Sequence, residues 1–62
     1  MIDIKTARIA AGLTQAKLAD LCGRPQSWVG KIENGTYAVE RLSLKNAIAL
    51  AKALGVKAED LI

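Results

Sequence analysis

Polar side chains able to bond other molecules form a short row between residues 26 and 34 of this 62-residue sequence. Ser27, Lys31 and Asn34 follow one another at i, i+4 and i+7, so a helix would place them on one face. Gln26 precedes them, and a glutamine side chain can form hydrogen bonds to both N6 and N7 of adenine at once. A serine can pair with several base edges, and a lysine can reach guanine or a phosphate. Gln and Ser are also ordinary solvated residues at the start of a helix. The row alone therefore does not separate base recognition from simple exposure to solvent.

Catalytic and metal chemistry have little support in the sequence. It contains no His and one Cys, so neither a Ser–His pair nor a spaced Cys/His set for zinc is available. A glycine loop of the kind that cradles phosphate is also missing. We therefore expect no enzyme activity, no metal and no cofactor. The lone Cys22 excludes an intrachain disulfide and is expected to be a small core residue rather than a reactive thiol.

Composition favours an all-α fold in one domain spanning residues 1–62. The chain is 52% hydrophobic but has one Trp, one Tyr and no Phe, so its core must come mainly from Leu, Ile, Val and Ala. The β-branched and aromatic enrichment typical of strands is missing. A length of 62 residues is near the lower limit for a chain that folds alone.

Charge and hydropathy bear on the partners and the location of the protein. Nine Lys and Arg residues against six Asp and Glu give a net charge of +3, which permits a polyanionic partner without proving one. No apolar run approaches the length of a membrane span, and the chain opens with no signal-peptide pattern. We therefore expect a cytoplasmic protein without membrane contact.

Two short amphipathic helices on either side of Gly23 are expected to position the polar row. Thr14 is a natural N-cap for the first of them. Its buried face consists of Leu18, Ala19 and Cys22, with Leu21 alongside. Gly23 supplies the left-handed residue that ends this helix, and Pro25 suits the first turn of the next. In that next helix Val29 and Ile32 point away from the polar row. Two helices joined by a tight glycine turn, the second with an outward polar row, indicate a helix-turn-helix.

A first helix is expected before this pair, beginning at the N-cap Asp3 and running to about Ala11, where Gly12 closes it. Its inner stripe at i, i+3 and i+7 consists of Ile4, Ala7 and Ala11. Arg8 lies among these apolar positions. Its simplest interpretation is a surface cation whose aliphatic stem covers apolar surface.

A fourth helix is expected to begin at the cap Ser43 and to end at Gly55, with Val56 packed behind it. Its broad apolar stripe consists of Leu44, Ala47, Ile48, Leu50, Ala51 and Leu54. Residues 58–62 are expected to form a short last helix. The connection 36–42 is expected to be irregular.

Several stretches of the chain, taken in order, resemble the Cro/phage-repressor type of helix-turn-helix domain, also called the xenobiotic-response-element type. They are Gly12-Leu13-Thr14-Gln15, Leu18-Ala19, Gly23, Lys31-Ile32-Glu33-Asn34-Gly35, Ala51-Lys52-Ala53-Leu54-Gly55-Val56 and Asp60-Leu61-Ile62. The match covers nearly the whole chain. The resemblance implies a compact five-helix domain of the lambda-repressor-like type, with four full helices and a short terminal one.

The resemblance also implies a role for individual residues. The third helix would enter the major groove of DNA and read bases with Gln26, Ser27 and Lys31. The phosphates would be held by Gln15, Asn34, Thr36, Tyr37 and Lys45. Arg8 would form a structural ion pair with Glu33 at the end of the third helix, in place of the simpler interpretation as a surface cation.

Two residues of the third helix depart from the family pattern. Gly30 lies on the outward face, where the family usually carries a longer polar side chain, and it costs the helix about 1 kcal/mol against Ala. It either removes a contact or allows close approach to the duplex. Trp28 flanks the buried edge and is expected to pack against the loop after Gly35 or the fourth helix rather than stack on DNA. The connection 36–42 is also longer than the family pattern.

These observations predict a sequence-specific regulator of transcription, by resemblance a repressor, that binds double-stranded DNA. One module offers little base-reading surface, so a weak two-fold homodimer on a palindromic operator is expected. The final apolar residues, Leu61 and Ile62, either complete the core, form a dimer seam or mark where a longer protein was cut. The alternative function is a protein-binding module, such as the antitoxin of a toxin–antitoxin pair. A toxin-binding tail would favour that alternative, and we identify none in these residues.

Overall fold

The computed structural model describes residues 3–61 and folds them into helices joined by short turns. The α-helices are α1 (Ile4–Ala10), α2 (Gln15–Cys22), α3 (Gln26–Glu33) and α4 (Leu44–Leu54), and the 3-10 helices are η1 (Val39–Arg41) and η2 (Ala58–Leu61). Within the described range there is no strand, which confirms the all-α prediction. No helix in that range is long and apolar enough to cross a lipid bilayer.

Side-chain caps begin three of the four α-helices. Asp3 accepts a hydrogen bond from the backbone N–H of Thr6 at 3.1 Å, Thr14 from Lys17 at 3.0 Å, and Ser43 from Asn46 at 3.2 Å. All three caps are as predicted, because each offers an oxygen to an otherwise unpartnered N–H. Pro25 was expected inside the first turn of α3 but is its N-cap instead, with φ −65° and ψ 152°. The fixed φ of proline fits either position.

The core lies where α2, α3 and α4 pack together. Its buried apolar residues are Ile4, Leu18, Ala19, Trp28, Val29, Ile32, Leu50, Ala51, Leu54 and Leu61. Leu18, Val29 and Leu50, one from each of the three helices, have no exposed surface. Cys22 packs half-buried against this core as predicted, and burial raises the pKa of its thiol.

Four apolar residues that were expected on buried stripes are exposed. They are Ala11, Leu21, Leu44 and Ile48. The buried face of α4 is centred on Leu50 and Leu54, and at 100° per residue Leu44 and Ile48 fall beyond its edge. Ala11 follows the last residue of α1, so the helical spacing no longer applies to it. The periodic pattern was therefore read too broadly at these positions.

The connection expected to be irregular contains η1. The backbone N–H of Leu42 donates to Val39 at 3.1 Å, and that of Arg41 donates to Ala38 at 3.0 Å. Val39 and Leu42 pack half-buried against the core. These two apolar residues order the loop, which is why the prediction of an irregular path was wrong for residues 39–41.

The predicted fifth helix is η2, a 3-10 helix rather than an α-helix, so residues 3–61 contain four α-helices and not five. It follows Gly55, which ends α4 in the left-handed conformation with φ +72°. Leu61 is 2% exposed and completes the core, so it is not available as a dimer seam. Ile62, for which the same role was considered, lies outside the described residues.

Candidate nucleic-acid interface

The helix-turn-helix consists of α2, the turn at Gly23 and α3. Gly23 has φ +68°, as predicted for a residue that ends α2 in the left-handed region. The backbone N–H of Arg24 donates to the Ala19 carbonyl at 2.9 Å and closes the turn. On α3 the side chains of Val29 and Ile32 are buried against the core. The opposite face of α3 is therefore held outward by the packing of its apolar face.

A concavity of about 490 Å³ lies over this outward face. It brings together four of the predicted interface residues: Gln15, Ser27, Lys31 and Asn34. Gly30 lies among them on α3, and Lys5 reaches the same concavity from α1. Lys5 was not among the predicted interface residues, although its spacing of i, i+3 to Arg8 places it on the same side of α1. Gln26 is exposed at the first position of α3, outside the residues that line this concavity.

Glu33 in the wall of the concavity forms a hydrogen-bonded ion pair with Arg8, which joins α3 to α1. Arg8 Nε donates to Glu33 Oε2 at 2.6 Å, and Arg8 Nη2 donates to Glu33 Oε1 at 3.2 Å. Arg8 Nη1 donates to the Leu13 carbonyl at 2.8 Å. The side chains of Arg8 and Glu33 are 11% and 5% exposed. The two residues that the resemblance pairs are thus in contact, in the two-bond geometry that strengthens such pairs.

Gln15 completes this network, since its Nε2 donates to Glu33 Oε1 at 3.1 Å. One of the two amide hydrogens of Gln15 is therefore taken by Glu33. Burial disfavours the ionised form of Glu33, but the hydrogen bonds from Arg8 and Gln15 and the guanidinium charge outweigh it. Together they hold the pKa of Glu33 below its ordinary value. At neutral pH the Glu33 carboxylate therefore stays ionised, and the charge of the Arg8 guanidinium balances it.

The predicted phosphate contacts beyond α3 are linked to one another. Asn34 Oδ1 accepts hydrogen bonds from the backbone N–H of Thr36 at 2.9 Å and from its hydroxyl at 2.6 Å. The backbone N–H of Tyr37 donates to the Lys31 carbonyl at 3.0 Å. The Lys31 ammonium lies 5.4 Å from the centre of the Tyr37 ring, within the range of a cation–π contact. The turn that leaves α3 is therefore tied back to the polar face of the helix.

A second concavity, of about 420 Å³, lies between the start of α3 and the start of α4. Thr36 and Tyr37 line it together with Trp28, Arg24 and Arg41. Trp28 is 5% exposed and packs towards the loop and α4, which confirms the sequence-based expectation. Arg24 was not predicted as part of the interface, and its guanidinium carbon lies 5.6 Å from the centre of the Trp28 ring. Because Arg24 lies in the turn before α3, helical spacing does not apply to it, and no signal in the sequence could have found this contact.

Lys45 is not brought together with the other predicted phosphate contacts. It is exposed in the first turn of α4 and lines a third concavity with Leu21, Ile48 and Lys52. The helical position of Lys45 is opposite the buried face of α4. Its assignment as a phosphate contact therefore rests on the resemblance alone.

Comparison with known proteins identifies the family. A helix-turn-helix family model matches residues 4–61. No curated protein matches the chain significantly in sequence. The crystal structure of the restriction-modification controller protein C.AhdI from Aeromonas hydrophila superposes with a TM-score of 0.83 at 37% sequence identity, covering 97% of this chain and 86% of that one. The chain therefore belongs to the Cro/C1-type helix-turn-helix family of DNA-binding transcriptional regulators.

Proposed function

We propose that this regulator recognises specific DNA sequences by placing α3 in the major groove, with Gln26, Ser27 and Lys31 towards the bases. The observation that carries the proposal is the division of α3 into two faces. Val29 and Ile32 anchor the helix in the core, while the three proposed readers are exposed on its outward side. A helix held rigidly from behind, with exposed donors and acceptors at its N-terminal end, suits base recognition in the major groove.

Electrostatics support the approach of a duplex to this face. Among the described residues that line the concavity over α3, Glu33 is the one that is acidic, and Arg8 neutralises it. Lys5 and Lys31 line the same concavity without being in an ion pair with Glu33. The net charge of the chain is +3. A phosphate backbone would thus meet a surface where Lys5 and Lys31 are not paired with Glu33 and the Glu33 carboxylate is compensated by Arg8.

In this proposal the phosphate contacts flank the reading helix. Gln15 approaches from the first turn of α2, where the helix dipole also favours an anion. Asn34, Thr36 and Tyr37 follow the C-terminal end of α3 as one hydrogen-bonded turn. Lys45 belongs to this set by resemblance. Contacts on both flanks would fix the register of α3 along the groove without reading the sequence.

We further propose a weak homodimer on a palindromic operator, because one module of this size reads few base pairs. Leu61 is buried in the core and is not available for the dimer interface, whereas the exposed Leu44 is available. Leu44 is 75% exposed and lies on the rim of a mainly apolar concavity of about 320 Å³ that also includes Val39, Leu42 and Ala47. A second copy of this chain would cover that surface across a two-fold axis.

The test is selection of bound duplexes from a random DNA pool by the purified chain. A selected motif with two symmetric halves supports sequence-specific binding by a dimer. Selection of a single asymmetric half supports the reading helix but rejects the dimer. No enrichment over many rounds would contradict the proposal and favour the protein-binding alternative, such as an antitoxin. A promoter fusion carrying the selected site would then distinguish repression, which the resemblance implies, from activation.

A further inference from the structure

The guanidinium of Arg24 lies over the ring of Trp28 beside the first turn of α3, outside the residues assigned to DNA so far. We propose that Arg24 is an additional contact to a DNA backbone phosphate, and that Trp28 is the residue that positions it. The inference rests on the proposed function and deepens it. It assigns a role to the one tryptophan of the chain, which the family pattern does not explain.

The surroundings of Arg24 suit an anion. The concavity of about 420 Å³ beside it is lined by a second arginine, Arg41, and by three residues that carry a hydroxyl group, Thr36, Tyr37 and Ser43. Among the described residues that line it, none carries a carboxylate. Glu40, next to Arg41 in sequence, lines the apolar concavity beside Leu44 instead. Two arginines and the hydroxyl-bearing residues Tyr37 and Ser43 therefore line a space with no acidic side chain among the described residues of its wall, while the Thr36 hydroxyl already donates to Asn34.

The stacking on Trp28 explains how an exposed arginine could be held ready for binding. A free Arg side chain loses considerable rotamer entropy when it is fixed, which weakens most exposed ionic contacts. Trp28 is 5% exposed and belongs to the packed core, so its ring offers Arg24 a surface that is held in place by packing. A cation–π contact uses the face of the guanidinium and leaves its N–H groups free at the edge. Those N–H groups can then donate hydrogen bonds to two oxygens of one phosphate at the same time.

The first experiment compares the Arg24→Ala variant with the wild-type chain on the selected duplex. We expect the affinity of Arg24→Ala to fall by about tenfold, as for loss of a charged hydrogen bond. We also expect the salt slope of log affinity to become shallower by about 0.9, the loss of one phosphate contact. The preferred DNA sequence should not change, because phosphates carry no base identity. Lys52→Ala is the control, since Lys52 is exposed on α4 away from this concavity and its loss removes the same charge.

The second experiment tests the positioning role of Trp28. Trp28→Leu should weaken DNA binding several-fold when Arg24 is present and should have almost no effect when it is added to Arg24→Ala. Trp28→Phe, which keeps an aromatic face, should bind DNA almost as tightly as the wild type. Circular dichroism checks that each variant is folded, and if Trp28→Leu does not fold, the comparison is made between Trp28→Phe and the Arg24 variants. DNA should also change the emission of Trp28 in the wild-type chain and change it less in Arg24→Ala.

The results distinguish this inference from the proposed function. If the wild-type chain binds its selected duplex and Arg24→Ala binds with the same affinity and salt slope, the assignment of Arg24 is wrong while the proposed function stands. An effect of Arg24→Ala no larger than that of Lys52→Ala would also overturn the assignment of Arg24. In that case the loss of one positive charge from the chain would explain both effects. If the wild-type chain binds no duplex, both the inference and the proposed function are overturned.

Discussion

The guanidinium of Arg8 lies 2.6 Å from the carboxylate of Glu33, and this contact joins α1 to the last residue of α3. Gln15 from the second helix donates to the same carboxylate at 3.1 Å. Three helices thus meet at one acidic side chain that is 5% exposed. Because Glu33 lies beside the proposed DNA-binding face, the network fixes the direction of α3 as well as contributing to stability.

Removal of Glu33 should destabilise the domain severely. Breaking such a buried pair from one side costs about 3–5 kcal/mol, because the remaining charge stays desolvated. Glu33→Ala should therefore unfold this small domain or leave it marginal in thermal denaturation. Combining Arg8→Met with Glu33→Leu should be far milder than either single change, because no unpaired charge remains. Single variants that melt within about two degrees of the wild type would show that the pair contributes little.

The contribution of Glu33 should depend on pH. Its pKa is lowered in the folded chain, so the unfolded state binds the proton more readily than the folded state does. The stabilisation is present at pH values above the ordinary glutamate pKa of the unfolded chain, and it is lost as the pH falls through the lower pKa of the folded chain. The melting temperature of the wild type should therefore exceed that of Glu33→Gln at pH 7, and the gap should close in acid. A gap that is constant from pH 7 to about pH 2 would contradict this account.

Gly30 should be replaceable by Ala with a gain in stability. Its φ is not positive, and no atom lies within 4 Å of the position of an added Cβ. Gly30→Ala should stabilise the chain by about 1 kcal/mol from helix propensity, which raises the melting temperature by about 4–8 °C. The matched control is Gly23→Ala, where space is equally open but φ is +68°. That change should destabilise by about 1–2 kcal/mol, and a loss of stability in Gly30→Ala would show that the fold needs the glycine.

Local features of the fold could be predicted from the sequence because their causes are local. The caps at Asp3, Thr14 and Ser43 and the left-handed turn at Gly23 follow from single side chains or their absence. The buried face of α3 followed from the spacing of its apolar residues. The contact of Arg8 with Glu33 spans 25 residues and was supplied by the family resemblance, not by any pattern in the residues.

The features that were missed depend on tertiary packing. Helical spacing places Leu44 and Ile48 near the apolar stripe of α4, but only the arrangement of neighbouring helices decides where the stripe ends. The amide of Gln15 could not be assigned to Glu33 without knowing how α2 and α3 cross. The position of Arg24 over Trp28 likewise depends on the path of the turn. Which of the exposed polar residues touch DNA remains a prediction.

The proposed dimer surface can be tested at Leu44. Leu44→Lys should keep the chain monomeric at concentrations where the wild type associates, since a lysine would be buried opposite its symmetry mate. The folding stability should change little, because Leu44 is 75% exposed. Ile9→Lys is the control, as Ile9 is 60% exposed on α1 and does not line the same concavity. Sedimentation with and without DNA measures both, and equal association of the two variants would exclude Leu44 from the interface.

The central claim, that α3 reads the sequence of DNA, is tested most directly at its first residue. Binding of Gln26→Ala and Lys45→Ala to the selected site and to its single-base variants is measured at several salt concentrations. Gln26→Ala should lose about 1–3 kcal/mol and relax the preference at one base pair in each half-site. Lys45→Ala should weaken binding to every sequence about equally and reduce the salt slope by about one. If Gln26→Ala instead binds all sequences uniformly more weakly and keeps the same preferred site, then α3 is not the reading element in the way proposed.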